Sequence, residues 1–155
     1  MPTHAPLFGN KPQKVALGVV ETKCVKQFPE SATRPPIWEG YGKFHDTVTK
    51  AACVGSVSIG GEFVTRQDDP DAAVVVLETP PGSEKRPEAH SKTFEWIQDA
   101  SRQELSCHFY IVEGVPQNDP AFQIIEAIRE QVHEELRRQP DGTIRGYPVI
   151  ELFAP

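Results

Sequence analysis

The chain has 155 residues, of which 38% are hydrophobic and 25% are charged, a composition typical of one folded domain and not of a disordered protein. Its net charge of −6 is uneven: residues 1–71 carry eight basic and eight acidic side chains, whereas residues 72–155 carry eight basic and fourteen acidic ones. Because that second half would repel nucleic acids and anionic membrane surfaces, we expect neither as a partner.

The N-terminus is predicted to be a mobile arm. Residues 1–13 contain three prolines and no apolar stretch as long as that of a signal peptide. Residues 14–155 are then expected to form a single α+β domain. The longest uninterrupted apolar run, Ala72 to Leu77, is too short to cross a bilayer. The three cysteines are widely spaced without a C-x-x-C element, which indicates reduced thiols and a cytoplasmic protein.

The first half of this domain is predicted to contain mainly strands. Alternating apolar side chains favour a strand over residues 14–26, and the proline-rich stretch 28–41 is expected to be a loop that presents Trp38. Residues 44–53 fit either a short helix or the start of a strand, because β-branched residues compete with apolar residues at helical spacing. A Gly-Gly pair suited to a tight turn predicts a hairpin over residues 54–66.

The second half is predicted to add two strands separated by a helix. The aliphatic run at residues 72–78 is typical of a central strand covered on both faces. A helix is expected over residues 87–102. Residues 105–113 then predict a strand with one core face and one semi-polar face. The core face holds Leu105, Cys107, Phe109 and Ile111, and the semi-polar face holds Ser106, His108, Tyr110 and Val112.

A capped amphipathic helix and a short strand are predicted to end the chain. Asp119-Pro120 indicates the helix start, since Asp accepts from free backbone N–H groups and Pro in the first turn loses no bond. The stripe expected to face the core consists of Ala121, Ile125, Ile128, Val132 and Leu136, with Ile124 beside it. Residues 147–153 predict the final strand, and Pro148 indicates a sheet edge.

This order of elements predicts the split β-α-β fold of ferredoxin-like domains, with an antiparallel sheet and an extra C-terminal helix and strand. Helices would cover one face of such a sheet. We expect the other face to pair with a second copy as a homodimer, or to be covered by the last helix in a monomer. Residues 87–96 resemble the helix of small monooxygenase-like and polyketide-cyclase-like dimeric α/β barrels. The resemblance implies a dimeric barrel as one form of the fold, and no catalytic residue is carried over from it.

His108 and Tyr110 are the candidate catalytic residues. They lie two positions apart on the semi-polar strand face, and imidazole and phenol groups transfer protons near neutral pH. Alternatively, both lie beneath the final helix with their polar ends satisfied locally. Trp38, His45 and Trp96 are the candidate ligand-binding residues, for an apolar or aromatic small molecule. The alternative is that the two tryptophans belong to the core and that His45 lies on a solvated surface.

Metal and cofactor sites are not expected. The histidines show none of the H-x-H, H-x-x-x-H or H-E-x-x-H spacings that bind transition metals. The glycines at 55, 60 and 61 lie in hairpin-like sequence, which favours turns over a phosphate-binding loop. His133, four residues from both Arg129 and Arg137, is expected on a solvated surface.

Two functions are compatible with this sequence. The preferred hypothesis is a cofactor-independent small-molecule enzyme of the isomerase, cyclase or monooxygenase-like type, with a pocket on the sheet face. The alternative is a non-catalytic binding or assembly module, with the sheet face or the helix at residues 119–138 as its interface.

Overall fold

The structure, a computed structural model, describes residues 4–51, 53–81, 95–99 and 106–152. Its strands are β1 (Gln13–Lys14), β2 (Gly55–Gly60), β3 (Ala73–Thr79), β4 (Cys107–Glu113) and β5 (Pro148–Leu152). Its helices are α1 (Leu17–Glu21), α2 (Arg34–Lys50), α3 (residues 95–99) and α4 (Phe122–Arg137). A π-helical turn (Thr22–Lys26) follows α1, and a 3-10 helix (Gly61–Val64) follows β2.

The five strands form one mixed sheet in the order β1-β5-β2-β3-β4. Strand β2 is antiparallel to β3 and to β5, whereas β3 is parallel to β4 and β1 is parallel to β5. The protein is therefore a mixed α+β fold, as predicted. An antiparallel ferredoxin-like sheet was predicted, and the parallel pairs differ from it because long connections carry the chain back across the sheet. The dimeric α/β barrel stays a prediction.

Helices cover both faces of the sheet. On one face, Phe109 stacks against Phe44 of α2 with ring centroids 5.0 Å apart, and Val75 and Leu77 are buried beside them. On the other face, α4 packs against the sheet, and its Val132 and Leu136 side chains are buried there. The alternation predicted for β4 is confirmed over the described residues, and the last helix, α4, covers the face for which either a second copy or that helix was predicted.

Two helices lie where a strand and a loop were predicted. The strand predicted at residues 14–26 is wrong beyond Lys14, because the buried side chains Val20 and Cys24 are spaced as in a helix. The predicted loop at residues 28–41 becomes helix from Arg34 onward. Its prolines occupy the first helical turn, where a missing N–H breaks no intrahelical bond. The ambiguous stretch 44–53 is helical as far as Lys50.

The hairpin predicted at residues 54–66 is also wrong. Strand β2 ends at Gly60, and Gly61, with φ +80°, begins a 3-10 helix instead of a returning strand. Strand β2 pairs instead with β5 and with β3, and β3 lies between β2 and β4 and is almost entirely buried. The prediction of a central strand at this position is confirmed.

Helix α4 keeps only part of its predicted core stripe. Asp119 accepts a hydrogen bond from the N–H of Ala121 at 2.8 Å, but α4 begins at Phe122 with Ala121 as its N-cap residue and no side-chain cap, two residues later than Asp119-Pro120 predicted. Val132 and Leu136 are buried against the sheet, whereas Ile124 is 65% exposed and Ile128 is 43% exposed. The row that faces the sheet contains Ile125, Arg129, Val132 and Leu136, and it turns Ile124 and Ile128 toward solvent.

The two ends of the domain differ from expectation as well. Strand β5 lies between β1 and β2, so it is not an edge strand, and Pro148 stands at its first residue. At the N-terminus, the N–H of Leu7 donates to the carbonyl of Val64 at 2.9 Å, and Phe8 is only 1% exposed. The described part of the predicted mobile arm is therefore packed on the domain.

Several predictions fall on residues outside the described ranges. They include most of the helix at residues 87–102, of which residues 95–99 are described and helical, and Leu105 and Phe153 at the ends of strands. In the described part of the chain, no helix combines the length and the apolar character needed to cross a bilayer.

Candidate functional site

The two predicted catalytic residues lie on the α4 side of the sheet. His108 is exposed, and Tyr110 is partly buried beneath α4, near Glu135. Burial, together with the nearby negatively charged carboxylate of Glu135, raises the pKa of Tyr110. The phenol therefore stays protonated at neutral pH and acts as a donor.

A cleft of about 600 Å³ lies beside this pair. Val74, which is paired with His108 in the sheet register, lines the cleft, and so does Glu135. Its other lining residues are His4, Gly61, Glu62, Gln67, Asp71, Ala72, Pro140 and Arg145. We call it the acidic cleft after its three carboxylates, those of Glu62, Asp71 and Glu135.

Arg145 is the one arginine or lysine among the described lining residues of the acidic cleft. It is 3% exposed, and its Nε donates to the carbonyl of Leu136 at 3.1 Å. Its Nη1 lies 3.6 Å from Oε1 of Glu62. Burial lowers the pKa of Arg145, and the charge of Glu62 opposes that shift. Since Arg145 is held by Glu62, the carboxylates of Asp71 and Glu135 leave an excess of negative charge in the cleft.

The two predicted ligand-binding tryptophans lie on the opposite side of the sheet. Trp38 stacks on Tyr41 with ring centroids 5.2 Å apart, and its indole N–H donates to Glu21 at 3.1 Å. Trp96 lies edge-on to Phe109 at 5.5 Å between centroids. A single pocket shared by the tryptophans, His108 and Tyr110 was therefore a wrong prediction. Successive residues of β4 point to opposite faces, so Phe109 joins the aromatic core while His108 faces away from it.

His45 accompanies Trp38 but not Trp96. Its Nδ1 lies 3.1 Å from the hydroxyl of Tyr41, and burial lowers the pKa of His45. Both His45 and Trp38 line a shallow cleft of about 410 Å³ along α2, together with Leu17, Glu39, Tyr41, Gly42, Lys43 and Asp46. Two of the three predicted ligand-binding residues thus share one cleft, away from Tyr110.

A second polar cluster under α4 was missed from the sequence. His133 Nε2 lies 2.8 Å from Oε1 of Glu78, and Arg129 Nε lies 3.5 Å from the same oxygen. The hydrogen bond from His133, supported by the charges of His133 and Arg129, lowers the pKa of Glu78, although burial opposes it. His133 is therefore packed against a carboxylate and not on a solvated surface. One signal for this cluster was present in the sequence: the charged Glu78 lies on the same strand face as the apolar Val74 and Val76, and a carboxylate on such a face indicates a partner for its charge.

These clusters offer hydrogen bonds and proton-transfer groups. Among the residues described, no group of three or more His, Cys, Asp or Glu side chains is placed to hold a metal ion.

One family model matches the chain, that of the family of unknown function DUF6932, over residues 8–147. No curated protein and no solved structure matches it. The matched span includes both polar clusters beneath α4, and it includes every lining residue of the acidic cleft except His4.

Proposed function

The chain belongs to the family of unknown function DUF6932, and from the geometry of its own residues we propose that it is a cofactor-independent small-molecule enzyme with the acidic cleft as its site. The observation that carries this proposal is a cleft of about 600 Å³ whose wall holds the Glu135 carboxylate together with Val74, the register partner of His108. That volume falls within the range of small-molecule pockets, which are lined mainly by apolar groups with a few polar ones.

The ligand best suited to this cleft is a small molecule with a positively charged amine. Asp71 and Glu135 have no lining cation of their own, because Arg145 is held by Glu62. An ammonium group would be attracted by the two carboxylates and would donate hydrogen bonds to them. The apolar or aromatic ligand expected from the sequence loses its support, since Trp38 and Trp96 pack on the other face of the sheet.

The chemistry proposed is proton transfer on the bound molecule, as in an isomerase or a cyclase. Glu135 is the proton acceptor, and Tyr110, near it beneath α4, is a phenol that can donate a hydrogen bond to the bound molecule. His108, exposed and paired with Val74 of the cleft wall, is placed to exchange protons with solvent. Neither step needs a redox cofactor, whereas a monooxygenase-like reaction would also require dioxygen.

Binding of matched ions tests the site. We expect putrescine, a dication, to raise the melting temperature of the protein more than succinate, a dianion of the same carbon count. Glu135→Gln and Asp71→Asn should each weaken putrescine binding, whereas Glu30→Gln, at an exposed position far along the chain, should not. Equal effects of putrescine and succinate would reject the ligand class, and unchanged binding in the two cleft variants would reject the site.

Deuterium incorporation tests the catalytic roles. Amino ketones that bind, such as aminoacetone, are incubated in deuterated water, and exchange at the carbon between the amine and the carbonyl, where the carbonyl acidifies the C–H bond, is followed by mass spectrometry. Tyr110→Phe and His108→Ala should slow this exchange and leave amine binding nearly unchanged. Exchange that is absent in the unmodified protein, or equally fast in both variants, would reject the enzyme and leave a binding protein.

A non-catalytic interaction module is the second candidate, and the exposed apolar side chains of α4 favour it. Ile124 and Ile128 lie one turn apart and are 65% and 43% exposed. Under this proposal, the double variant Ile124→Glu with Ile128→Glu would lose self-association or partner binding and keep amine binding. Sedimentation velocity of the unmodified protein and of the double variant separates the two candidates.

A further inference from the structure

Strand β4 forms one edge of the sheet. The order β1-β5-β2-β3-β4 gives it one neighbour, β3, and no described strand lies on its other side. Sheet edges are commonly protected by shortness, bulges, prolines or lysines, because their free N–H and C=O groups pair with other chains. Strand β4 has seven residues in unbroken register with β3 and contains no proline, lysine or arginine. Its outer side is therefore suited to pairing with a further strand.

The ladder between β3 and β4 shows which backbone groups of β4 point outward. The carbonyl of Ser106, just before β4, accepts a hydrogen bond from β3 at 3.1 Å, and the N–H of Gly114, just after it, donates to β3 at 2.7 Å. In a sheet, alternate residues of a strand direct their N–H and C=O groups to opposite sides. The even-numbered residues of β4 thus bond to β3, whereas Phe109 and Ile111 direct their backbone groups toward the outer edge.

An exposed apolar row lies beside this edge. Ile124 and Ile128 of α4 are one turn apart and are 65% and 43% exposed. Ile128 and Glu135 are two turns apart, so they lie on the same flank of the helix. Glu135 is close to Tyr110 of β4. The exposed row therefore lies on the β4 flank of α4, and the strand edge and the row form one surface.

We infer that this surface binds a second copy of the chain, with the two β4 strands antiparallel about a two-fold axis at Tyr110. Phe109 of each copy then lies opposite Ile111 of the other, and each such pair exchanges two hydrogen bonds through its outward N–H and C=O groups. The axis is perpendicular to the sheet, so the two α4 helices lie on the same sheet face and bring both exposed rows into the interface. A lone peptide strand would fill the edge and leave the row exposed.

The same register is complementary in charge. Diagonal neighbours on one face of an antiparallel pair lie within reach of long side chains. His108, which is exposed, becomes the diagonal neighbour of Tyr110 in the other copy, and Glu135 lies near that tyrosine. The imidazole of one copy can therefore donate to a carboxylate of the other. This inference does not depend on the enzyme proposed for the acidic cleft, and it names the partner that the second candidate function leaves open.

A proline at an outward position tests the pairing of the edges. Ile111→Pro removes an N–H that points away from β3, so the ladder between β3 and β4 keeps its bonds. We expect the unmodified protein to sediment as a dimer at micromolar concentration. Ile111→Pro should weaken dimerisation by about tenfold or more, since two hydrogen bonds are lost per dimer. The matched control Ile111→Val keeps the N–H and should dimerise normally, and circular dichroism checks that both variants are folded.

A monomeric unmodified protein, or a folded Ile111→Pro that dimerises as tightly as Ile111→Val, overturns the inference. A dimer that is lost in the double variant Ile124→Glu with Ile128→Glu but kept in Ile111→Pro also rejects edge pairing, and it leaves the second candidate function standing.

Cysteine cross-linking tests the register without a proline in the strand. Tyr110→Cys places two cysteines opposite each other on the axis, where Cα atoms about 4.5 Å apart are within the range that a disulfide spans. We expect copper phenanthroline in air to link this variant into a covalent dimer and to leave the unmodified protein unlinked. The matched control His108→Cys, on the same strand face, should not link, because its two cysteines are four residues out of register, roughly 13 Å. If Tyr110→Cys stays unlinked, or links no faster than His108→Cys, the inference is wrong.

Discussion

Arg34 is a fully buried arginine whose guanidinium group donates to four backbone carbonyls. Nη1 bonds to Cys24 and Phe63, and Nη2 bonds to Thr65 and Gln67, all at 2.6 to 2.7 Å. These carbonyls belong to the π-helical turn and to the segment that follows β2. One side chain of α2 therefore joins two irregular segments of the chain.

Replacing Arg34 by Met should lower the free energy of unfolding by roughly 3 kcal/mol or more, because buried carbonyls then lack donors. Urea denaturation measures this change. The control is Arg138→Met, since Arg138 is half-exposed and bonds mainly to Glu134, a surface pair worth at most about 1 kcal/mol. Equal losses in the two variants would show that the four bonds of Arg34 contribute little.

Glu78 makes a pH-dependent contribution to stability. The hydrogen bond from His133 lowers its pKa below the ordinary value of 4.5. A carboxyl whose pKa is lower in the folded state stabilises the fold fully above its unfolded pKa and loses that contribution as the pH falls through the folded pKa. Unfolding of Glu78→Gln, followed in urea from pH 7 to pH 3, should therefore depend less on pH below about 4.5. Glu30→Gln should keep the original pH dependence, and a Glu78→Gln curve parallel to it would reject this assignment.

The contact between Glu78 and His133 also shows what could not be predicted from single residues of the sequence. Glu78 and His133 are 55 positions apart, so only the packing of α4 on β3 brings them together. Their chemistry is visible in the sequence, but their proximity is a property of the tertiary fold. The same is true of Tyr110 and Glu135, of which only Tyr110 was predicted as a site residue.

Helix α4 shows how an element can be predicted while its buried face is not. The apolar spacing correctly indicated the helix, although it begins at Phe122 without the side-chain cap predicted at Asp119. The choice between adjacent rows depends on how the helix lies on the sheet, and the row through Val132 and Leu136 is the buried one. We expect Leu136→Ala to cost about 2–5 kcal/mol in a chemical denaturation experiment, since it leaves a cavity against β2. Ile124→Ala, on the same helix but 65% exposed, should cost well under that amount, and a similar loss would reject the assignment of the two rows.

Strand and helix predictions succeeded or failed for identifiable reasons. Strands β3 and β4 were predicted because a buried aliphatic run and a clean alternation are unambiguous over seven residues each. Helix α2 was missed because its first turn contains two prolines, which are as common in loops as at helix starts. The hairpin failed because Gly61 adopts φ +80° to begin a 3-10 helix, a choice that a Gly-Gly pair does not specify.

Across the whole molecule, the N-terminal segment ties distant parts of the domain together. Leu7 bonds to Val64 after β2, and the N–H of Gly146, just before β5, donates to the carbonyl of Gly9 at 2.7 Å. The side chain of Phe8 is buried in the common core. The prolines of residues 1–13 predicted a mobile arm. The sequence does not show that Phe8 is buried or that residues 5–13 make four backbone hydrogen bonds to the rest of the domain.

Gly146 is the position at which this attachment is most sensitive. A Cβ atom added there would lie 2.1 Å from the carbonyl oxygen of Phe8 and 2.4 Å from that of Lys11, and both are backbone atoms that cannot rotate away. Gly146→Ala should therefore displace the N-terminal segment, lower the free energy of unfolding by about 1–3 kcal/mol, and speed tryptic cleavage after Lys14. Gly42→Ala is the matched control, because a Cβ atom on that α2 residue meets nothing within 4 Å, and alanine favours the helix by about 1 kcal/mol. If Gly146→Ala resists trypsin as well as Gly42→Ala does, the segment is held by contacts other than its close approach to Gly146.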